Sequence, residues 1–142
     1  MKTIKLKAAY DYDFYLLGII AKVKEYTLSW AINRSLGIEL IKDEDLNIHL
    51  RTDKELQASL YSYESDPLNV YLIKNKLEVE IEGEPITFAP SLNTFDYLLK
   101  VESENGDTAI NSIYDSIRSI GQIQSVLKLD VSKIKEKEYF LL

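Results

Sequence analysis

The side chains of this chain that could do chemistry are carboxylates, tyrosines and a lone imidazole. Its 142 residues include 23 acidic residues, ten tyrosines, one histidine (His49) and no cysteine. Without cysteine, the chain cannot form a disulfide framework, a zinc ribbon or a thiol nucleophile. A single imidazole disfavours a histidine-based triad and a multi-histidine metal site. The five glycines lie far apart, so no Gly-rich phosphate loop is present.

Three groups of residues could still act as acids, bases or metal ligands. His49 has an intrinsic pKa near neutrality, but on a predicted strand we expect it to face solvent or pack at an edge. Residues 43–45 (Asp-Glu-Asp) offer hard oxygen ligands but lack the spacing of a calcium loop, so we expect a turn there. Asp11 and Asp13 would share one strand face, yet nothing else converges on them. We therefore predict no catalytic residue, no cofactor and no metal site.

The tyrosines are numerous for this length. Tyr61 and Tyr63 would share a strand face, but their neighbours Glu64 and Asp66 are acidic, whereas rings that stack with bases need flanking cations. The net charge of −6 also disfavours contact with a phosphate backbone. We expect cross-strand tyrosine pairs, or a surface for protein contacts, and no nucleic-acid partner.

A separate group consists of Pro90, Asp96 and Tyr97. Asp96 falls in a predicted strand, where aspartate is disfavoured, so a helix N-terminus, backbone amides or an arginine should compensate. Pro90 would stiffen the entry to that strand. Two roles remain open for the group, a structural latch and part of a ligand or partner site.

Two amphipathic helices are predicted to position these residues. Over residues 107–121 the isoleucines recur at intervals of three and four, with Asp107 or Thr108 as the cap and Gly121 as a left-handed stop. A second helix is predicted over residues 24–36, ending at Gly37. Its inner face would carry Leu28, Ala31, Ile32 and Leu36.

Strand-like runs flank each helix, at residues 14–20, 38–41, 46–50, 95–101 and 123–129. Between them, residues 60–63 and 70–73 read as a hairpin, and residues 77–81 and 86–88 as a second one with Glu78, Glu80 and Glu82 facing water. We predict a single α+β domain over residues 1–142. Its architecture would be a ferredoxin-like sandwich: a mostly antiparallel sheet, two helices on one face, and two βαβ units around a β-hairpin insert.

The chain has no run of 18 apolar residues that could span a membrane. Its basic start and apolar residues 14–21 superficially suggest a signal peptide, but acidic residues precede that short stretch and lysines follow it. We expect a cytoplasmic protein with no membrane partner. The apolar residues 139–142 are expected to dock on the body of the protein or on a partner.

Residues 89–97 (Ala-Pro-Ser-Leu-Asn-Thr-Phe-Asp-Tyr) resemble the signature of the IPExxxVDY family. Pro90, Asp96 and Tyr97 match it. The departures from its Ile, Glu and Val are Ala89, Ser91 and Phe95. Residues 14–19, 26–33, 36–37 and 123–130 and the Tyr-rich central hairpin are similar to the same family, so the resemblance covers most of the chain. The family implies no established activity; its genes are associated with a neighbourhood holding ribonuclease III and pyruvate kinase.

Residues 95–130 are also similar to the strand–helix–strand unit of sensing domains in leucine-responsive regulators and ACT-type modules. Such modules often form dimers and hold amino acids between subunits. No helix-turn-helix accompanies the unit here, and a shared fold does not by itself carry function.

The sequence therefore predicts a cytoplasmic, non-enzymatic protein-interaction or adaptor module that binds a protein partner or itself as a homodimer. The alternative is a small-metabolite-sensing regulatory domain. An enzyme that uses Asp11, Asp13 or Asp96 is a third reading, which would require a closed cavity with two carboxylates.

Overall fold

The computed structural model describes residues 13–48 and 56–142. The α-helices are α1 (Glu25–Leu36) and α2 (Gly106–Ile117), and short 3-10 helices span Pro90–Leu92, Val131–Lys133 and Lys137–Phe140. The strands are β1 (Tyr15–Ile20), β2 (Ile41–Lys42), β3 (Leu46–Asn47), β4 (Gln57–Ala58), β5 (Leu60–Glu64), β6 (Leu68–Lys74), β7 (Lys76–Ile81), β8 (Glu84–Thr87), β9 (Tyr97–Ser103) and β10 (Ser125–Leu129). The predicted α+β class is confirmed.

Within the described ranges, six strands form the main sheet, in the order β10-β1-β9-β6-β5-β2. Every neighbouring pair is antiparallel, as predicted for most of the sheet. Since β1 lies between β9 and β10, those two strands run parallel to each other, and α2 connects them. By the same reasoning β1 and β6 are parallel, with β9 between them. The pairs β3–β4 and β7–β8 form separate two-stranded ladders.

Both helices pack on one face of the main sheet. Alternate strand residues and the apolar sides of the helices form a core there, which includes Leu17, Ile19, Leu28, Ile32, Leu72, Leu99, Ile110, Ile113 and Ile117. Helix α1 ends as predicted, because Gly37 adopts the left-handed conformation at a φ of 67°.

The predicted caps of α2 are wrong. The helix begins at Gly106 after Asn105, which makes no side-chain cap hydrogen bond. Asp107 instead accepts a hydrogen bond from the Tyr15 hydroxyl on β1, at 2.6 Å. The helix ends at Ile117, and successive turn hydrogen bonds rather than a left-handed Gly121 close it. Asp107 thus bonds to a distant residue, Tyr15, and does not cap the helix, and the helix ends in hydrogen-bonded turns before Gly121 is reached.

The hairpins occur where they were predicted, but only one of them is a separate unit. The β5–β6 hairpin belongs to the main sheet, while β7–β8 forms its own ladder around Gly83 at a φ of 80°. The three glutamates predicted to face water, Glu78, Glu80 and Glu82, are exposed. Of the strand predicted over residues 38–41, only Ile41 is in a strand, β2, and Leu40 instead donates its amide to Asn33 of the helix. The strand predicted over residues 46–50 begins as β3, and its residues 49 and 50 lie outside the described part of the chain.

A second apolar core covers the opposite face of the sheet. The segment after β8 and the C-terminal segment supply it, with Phe88, Phe95, Val131, Ile134 and Phe140 buried against Leu16, Ile73 and Leu98. Phe140 is fully buried and meets the Phe88 ring edge-on at 5.6 Å. The predicted docking of the tail is thus correct for Phe140, whereas Leu141 and Leu142 each remain 45% exposed.

Neither α-helix in the described ranges has the length and apolar character needed to cross a membrane.

Candidate functional site

Asp96 connects the entrance of β9 to the loop between β1 and α1. It lies in the bend just before β9, not within the strand as predicted, and its side chain is 11% exposed. Its Oδ2 accepts the Ala21 amide at 2.9 Å, and its Oδ1 accepts from the Lys22 ammonium at 3.0 Å. The Lys76 ammonium lies 3.7 Å from the same oxygen. The expected compensation thus comes from a backbone amide and two lysines, and not from an arginine.

Tyr97 holds the next part of the same loop. Its ring is buried, and its hydroxyl donates a hydrogen bond to the carbonyl of Val23. Burial first, and then the negative charges of Glu25 and Asp96, raise the pKa of Tyr97. Asp96 and Tyr97 together therefore bind three consecutive loop residues, 21 to 23.

Pro90 lies apart from these two residues. It is exposed and begins the short 3-10 helix Pro90–Leu92. What joins it to Asp96 is Asn75, a fully buried residue between β6 and β7. The Asn75 amide group donates to the carbonyls of Leu92 and Phe95, and its oxygen accepts the Ala89 amide, each at 2.9 Å. The Asn75 side chain thus holds the backbone of the segment from Ala89 to Phe95 by three hydrogen bonds.

Ser91 is held by a carboxylate from the C-terminal segment. The Ser91 amide and hydroxyl both donate to the carboxylate of Glu136, the amide at 2.8 Å. Glu136 is itself buried. The resembled signature has a glutamate at the position of Ser91. In this chain a carboxylate is still present there, because Glu136, 45 residues later, binds Ser91.

A groove of about 430 Å³ opens beside Asp96. Lys22 and Lys24 line it from the β1–α1 loop, and Lys74 and Lys76 from the join of β6 and β7. Each lysine has an acidic neighbour among Asp96, Glu78 and Glu25. Four cations and three anions leave the groove with a small positive excess, in a chain of net charge −6.

Two carboxyl groups at this groove, those of Glu78 and Glu25, have pKa values below the usual range. A hydrogen bond from Lys24 lowers the pKa of Glu78 and raises that of Lys24. Burial opposes ionisation of Glu25, but hydrogen bonds from its own backbone and from Ser59, with the charge of Lys74, bring its pKa below the usual value. An anionic ligand could thus bind in the groove only by displacing a carboxylate, such as that of Glu78, from the lysines that it pairs with.

A second pocket, of about 540 Å³, lies on the face opposite the helices. It contains Lys100 of β9, whose side chain is only 2% exposed. The Lys100 ammonium is 3.2 Å from a Glu102 oxygen and about 5 Å from the centres of two rings, at 4.9 Å for Phe14 and 5.2 Å for Tyr71. Sequence reasoning missed this residue, although a charged side chain in the apolar run Tyr-Leu-Leu-Lys-Val was a visible signal.

Of the other described residues singled out from the sequence for possible chemistry, Asp13 alone lies at one of these two sites. Residues 43–45 form the loop between β2 and β3, as predicted, and Asp43 accepts a hydrogen bond from Ser62 at 2.8 Å. His49 and Asp11 lie outside the described residues. Asp13 lies at the pocket that contains Lys100. Tyr61 and Tyr63 are partly buried against the helix-side core.

Within the described ranges, no three histidine, cysteine, aspartate or glutamate residues are grouped so that they could hold a metal ion.

Helix α1 carries large side chains on its outer side. Tyr26 is 64% and Trp30 56% exposed, one helical turn apart. The guanidinium carbon of Arg34, a further turn along, lies 4.9 Å from the centre of the Trp30 ring. We call Tyr26, Trp30 and Arg34 the α1 stripe. The inner side of α1 was predicted from its periodicity, but this outer surface was not singled out.

Comparison with known proteins adds no relative, because no protein-family model, curated protein or solved structure matches this chain. Its function must therefore be inferred from its own residues.

Proposed function

We propose that this protein is a non-enzymatic protein-interaction module whose contact surface is the α1 stripe. The observation that supports this is the exposure of the chain's one tryptophan beside a tyrosine and an arginine. These are the three residue types most enriched among residues that dominate binding energy at protein interfaces. A second copy of the chain is the proposed partner, since symmetric dimers are the commonest assemblies of soluble proteins.

Sedimentation equilibrium over micromolar concentrations tests the homodimer. We expect a reversible dimer for the wild-type chain and at least tenfold weaker association for Trp30→Ala. Leu127→Ala, which truncates an exposed apolar side chain on β10, is the matched control. Weakening by Leu127→Ala alone would move the contact from α1 to the β10 edge, and monomer throughout would rule out self-association.

A photo-crosslinking residue at position 30 tests for a different protein partner. Incorporated in native cells, it should give a discrete adduct that the same residue at position 135 does not give. Position 135 is exposed and belongs to the segment that covers the opposite face of the sheet. Equal adducts at both positions, together with monomeric behaviour in solution, would contradict the proposed module.

The second candidate function is a small-metabolite-sensing domain, and the lysine-lined groove beside Asp96 favours it. A carboxylate or phosphate ligand could take the place of Glu78, which is exposed and holds Lys24 and Lys74 from the rim. A thermal-shift panel of amino acids and nucleotides should then raise the melting temperature for anionic members. No response from the whole panel would count against sensing.

We further propose that Asp96 and Tyr97 act as a structural latch and not as a binding site. Their side-chain partners are loop residues of the same chain, from Ala21 to Val23, together with Lys76. If so, Asp96→Asn should weaken folding and leave crosslinking from position 30 unchanged. Loss of the adduct without loss of stability would assign Asp96 to partner binding instead.

We infer that the main sheet is of ferredoxin-like type. The strand order β10-β1-β9-β6 supports this, because each parallel pair joined through a helix has a strand of the other pair inserted between its members. Strands β5 and β2 extend that sheet at one edge. Inter-strand nuclear Overhauser contacts test it: contacts between β1 and β6 in place of β1 and β9 would contradict the assignment.

Membership of the IPExxxVDY family and a cytoplasmic location remain parts of the proposal. The residues that support family membership are Pro90, Asp96 and Tyr97. If the proposal is correct, related chains should carry, at the position of Asn75, a residue that can also hydrogen-bond to the backbone of residues 89–95. Fractionation of native cells tests the location, and recovery with the membrane fraction would contradict it.

A further inference from the structure

Burying Lys100 of β9 costs free energy, because its ammonium group loses contact with water. Lys100 pairs across the sheet with Leu16 on β1 and Tyr71 on β6, in the second core. Its side chain is 2% exposed, and Glu102 is its one carboxylate neighbour within 4 Å among the described residues. An apolar side chain of similar length would avoid the cost of desolvating an ammonium group. Such a cost is often retained where the group has a chemical use.

The surroundings of Lys100 combine the features that make an amine reactive. Burial lowers the pKa of Lys100, while the charge of Glu102 opposes that shift. Desolvated lysines of this kind supply the neutral amine that attacks carbonyl groups. Lys100 and its partner Glu102 both line the 540 Å³ pocket, so a small molecule bound there would lie against this pair.

We propose that Lys100 is a carbonyl-binding residue that captures a small neutral hydroxyaldehyde as a Schiff base. The amine nitrogen bonds to the carbonyl carbon, and the carbonyl oxygen becomes a hydroxyl group. That hydroxyl then leaves as water with a proton passed through Glu102, and the carbon–nitrogen double bond forms. Starting from the ammonium form, the balance is aldehyde plus ammonium to iminium plus water, so one positive charge is kept.

Phe14, Tyr71 and Glu102 can stabilise the positive charge of the iminium product as they do that of the free Lys100 ammonium. Phe14 and Tyr71 lie about 5 Å from the cation, at 4.9 Å and 5.2 Å, and the iminium would keep its charge beside them. Tyr71 is itself fixed, because its hydroxyl donates to a Glu64 oxygen at 2.8 Å. The pocket therefore changes little between the two states.

The pocket lining selects the class of aldehyde. Asp66, Glu102 and Glu104 make its rim acidic, which disfavours a keto acid or any other anion. Ser65, Asn69 and Ser103 offer neutral hydrogen-bonding groups in the same lining, and these match the hydroxyl groups of a sugar-like aldehyde.

Reductive trapping tests the proposal directly. The full chain is incubated with glyceraldehyde and cyanoborohydride at neutral pH, so that the iminium and not the aldehyde is reduced, and the adducts are located by peptide mass spectrometry. We expect at least tenfold more adduct at Lys100 than at an exposed lysine such as Lys133, whose side chain is 82% exposed. Glyoxylate, an anionic aldehyde, should give at least tenfold less adduct at Lys100 than glyceraldehyde.

Two variants complete the test. Lys100→Met keeps the apolar stem and should abolish the dominant adduct, while Glu102→Gln should leave the dominant adduct at Lys100. The wild-type peptide map decides the outcome even if Lys100→Met fails to fold. Adducts spread over exposed lysines with Lys100 unmodified would overturn the proposal, and equal trapping of glyoxylate would overturn the stated ligand class.

Discussion

At the scale of single residues, the clearest prediction concerns Asp96. Asp96→Asn removes the negative charge that faces Lys22 and Lys76, but keeps an oxygen for the Ala21 amide. We expect the free energy of unfolding to fall by about 1–3 kcal/mol, measured by urea denaturation, because a buried charge-assisted hydrogen bond is weakened. Asp115→Asn is the matched control, since Asp115 is exposed on α2. An equal loss in both variants would mean that burial of Asp96 contributes nothing.

A second residue-level prediction concerns the contact between Gly18 and Phe95. A Cβ atom at position 18 would lie 2.6 Å from the Phe95 ring. Gly18→Ala should therefore destabilise the fold by about 1–3 kcal/mol through overpacking. Phe95→Leu in the same chain should recover part of that loss, measured as a double-mutant cycle by urea denaturation. Strict additivity of the two changes would show that the contact does not matter.

That contact also explains how a large ring fits at position 95. The Phe95 ring lies against β1 at the point where that strand carries a glycine, Gly18. The sequence shows both residues, but only the packing of the segment before β9 against β1 shows that they depend on each other.

At the scale of elements, the C-terminal segment should be an integral part of the fold. Phe140 is fully buried between the Phe14 and Phe88 rings. Phe140→Ala should lower the free energy of unfolding by about 3–5 kcal/mol, the usual range for deleting a core aromatic ring. Leu142→Ala, at a position 45% exposed, should cost no more than about 0.5 kcal/mol.

Thermal and urea unfolding of the two variants measure this difference. A small effect of Phe140→Ala would mean that the last 3-10 helix detaches without loss of the second core. The sequence predicted docking of this segment from its apolar ending, but it could not distinguish the residue that inserts from the two that stay at the surface.

At the scale of the whole molecule, two buried tyrosines should make the fold sensitive to alkali. Burial, followed by a hydrogen bond to Glu64, raises the pKa of Tyr71, and burial followed by nearby carboxylates raises that of Tyr97. A raised pKa in the folded state adds stability below the unfolded value of about 10, and this stability is lost as the pH rises above it. We expect unfolding free energy to fall steeply there.

Urea denaturation at a series of alkaline pH values checks the slope. Tyr71→Phe and Tyr97→Phe should each flatten it, although Tyr97→Phe also loses the hydrogen bond to Val23. Lys100 acts in the opposite sense below about pH 10.4, because its pKa is lowered in the folded state. The comparison is therefore made above that value, and unchanged slopes in both variants would contradict it.

The features that could be predicted from the amino-acid sequence are those that depend on neighbours along the chain. The isoleucine spacing gave the position of α2, the alternation of residues 77–81 gave an exposed glutamate face, and Gly37 gave the end of α1. These features follow from the periods of helices and strands and from backbone sterics, which act over a few residues.

The strand order and the partners of the buried polar groups became known only from the folded chain. Asn75 binds a segment 14 to 20 residues away, Glu136 binds Ser91 from 45 residues away, and Asp96 binds a loop 75 residues earlier. A side chain that must satisfy its hydrogen bonds inside the protein takes whatever partner the fold brings near it. The spacing of residues along the sequence does not predict that partner. For the same reason the pocket at Lys100, which is lined by residues from distant parts of the chain, could not be predicted from the sequence.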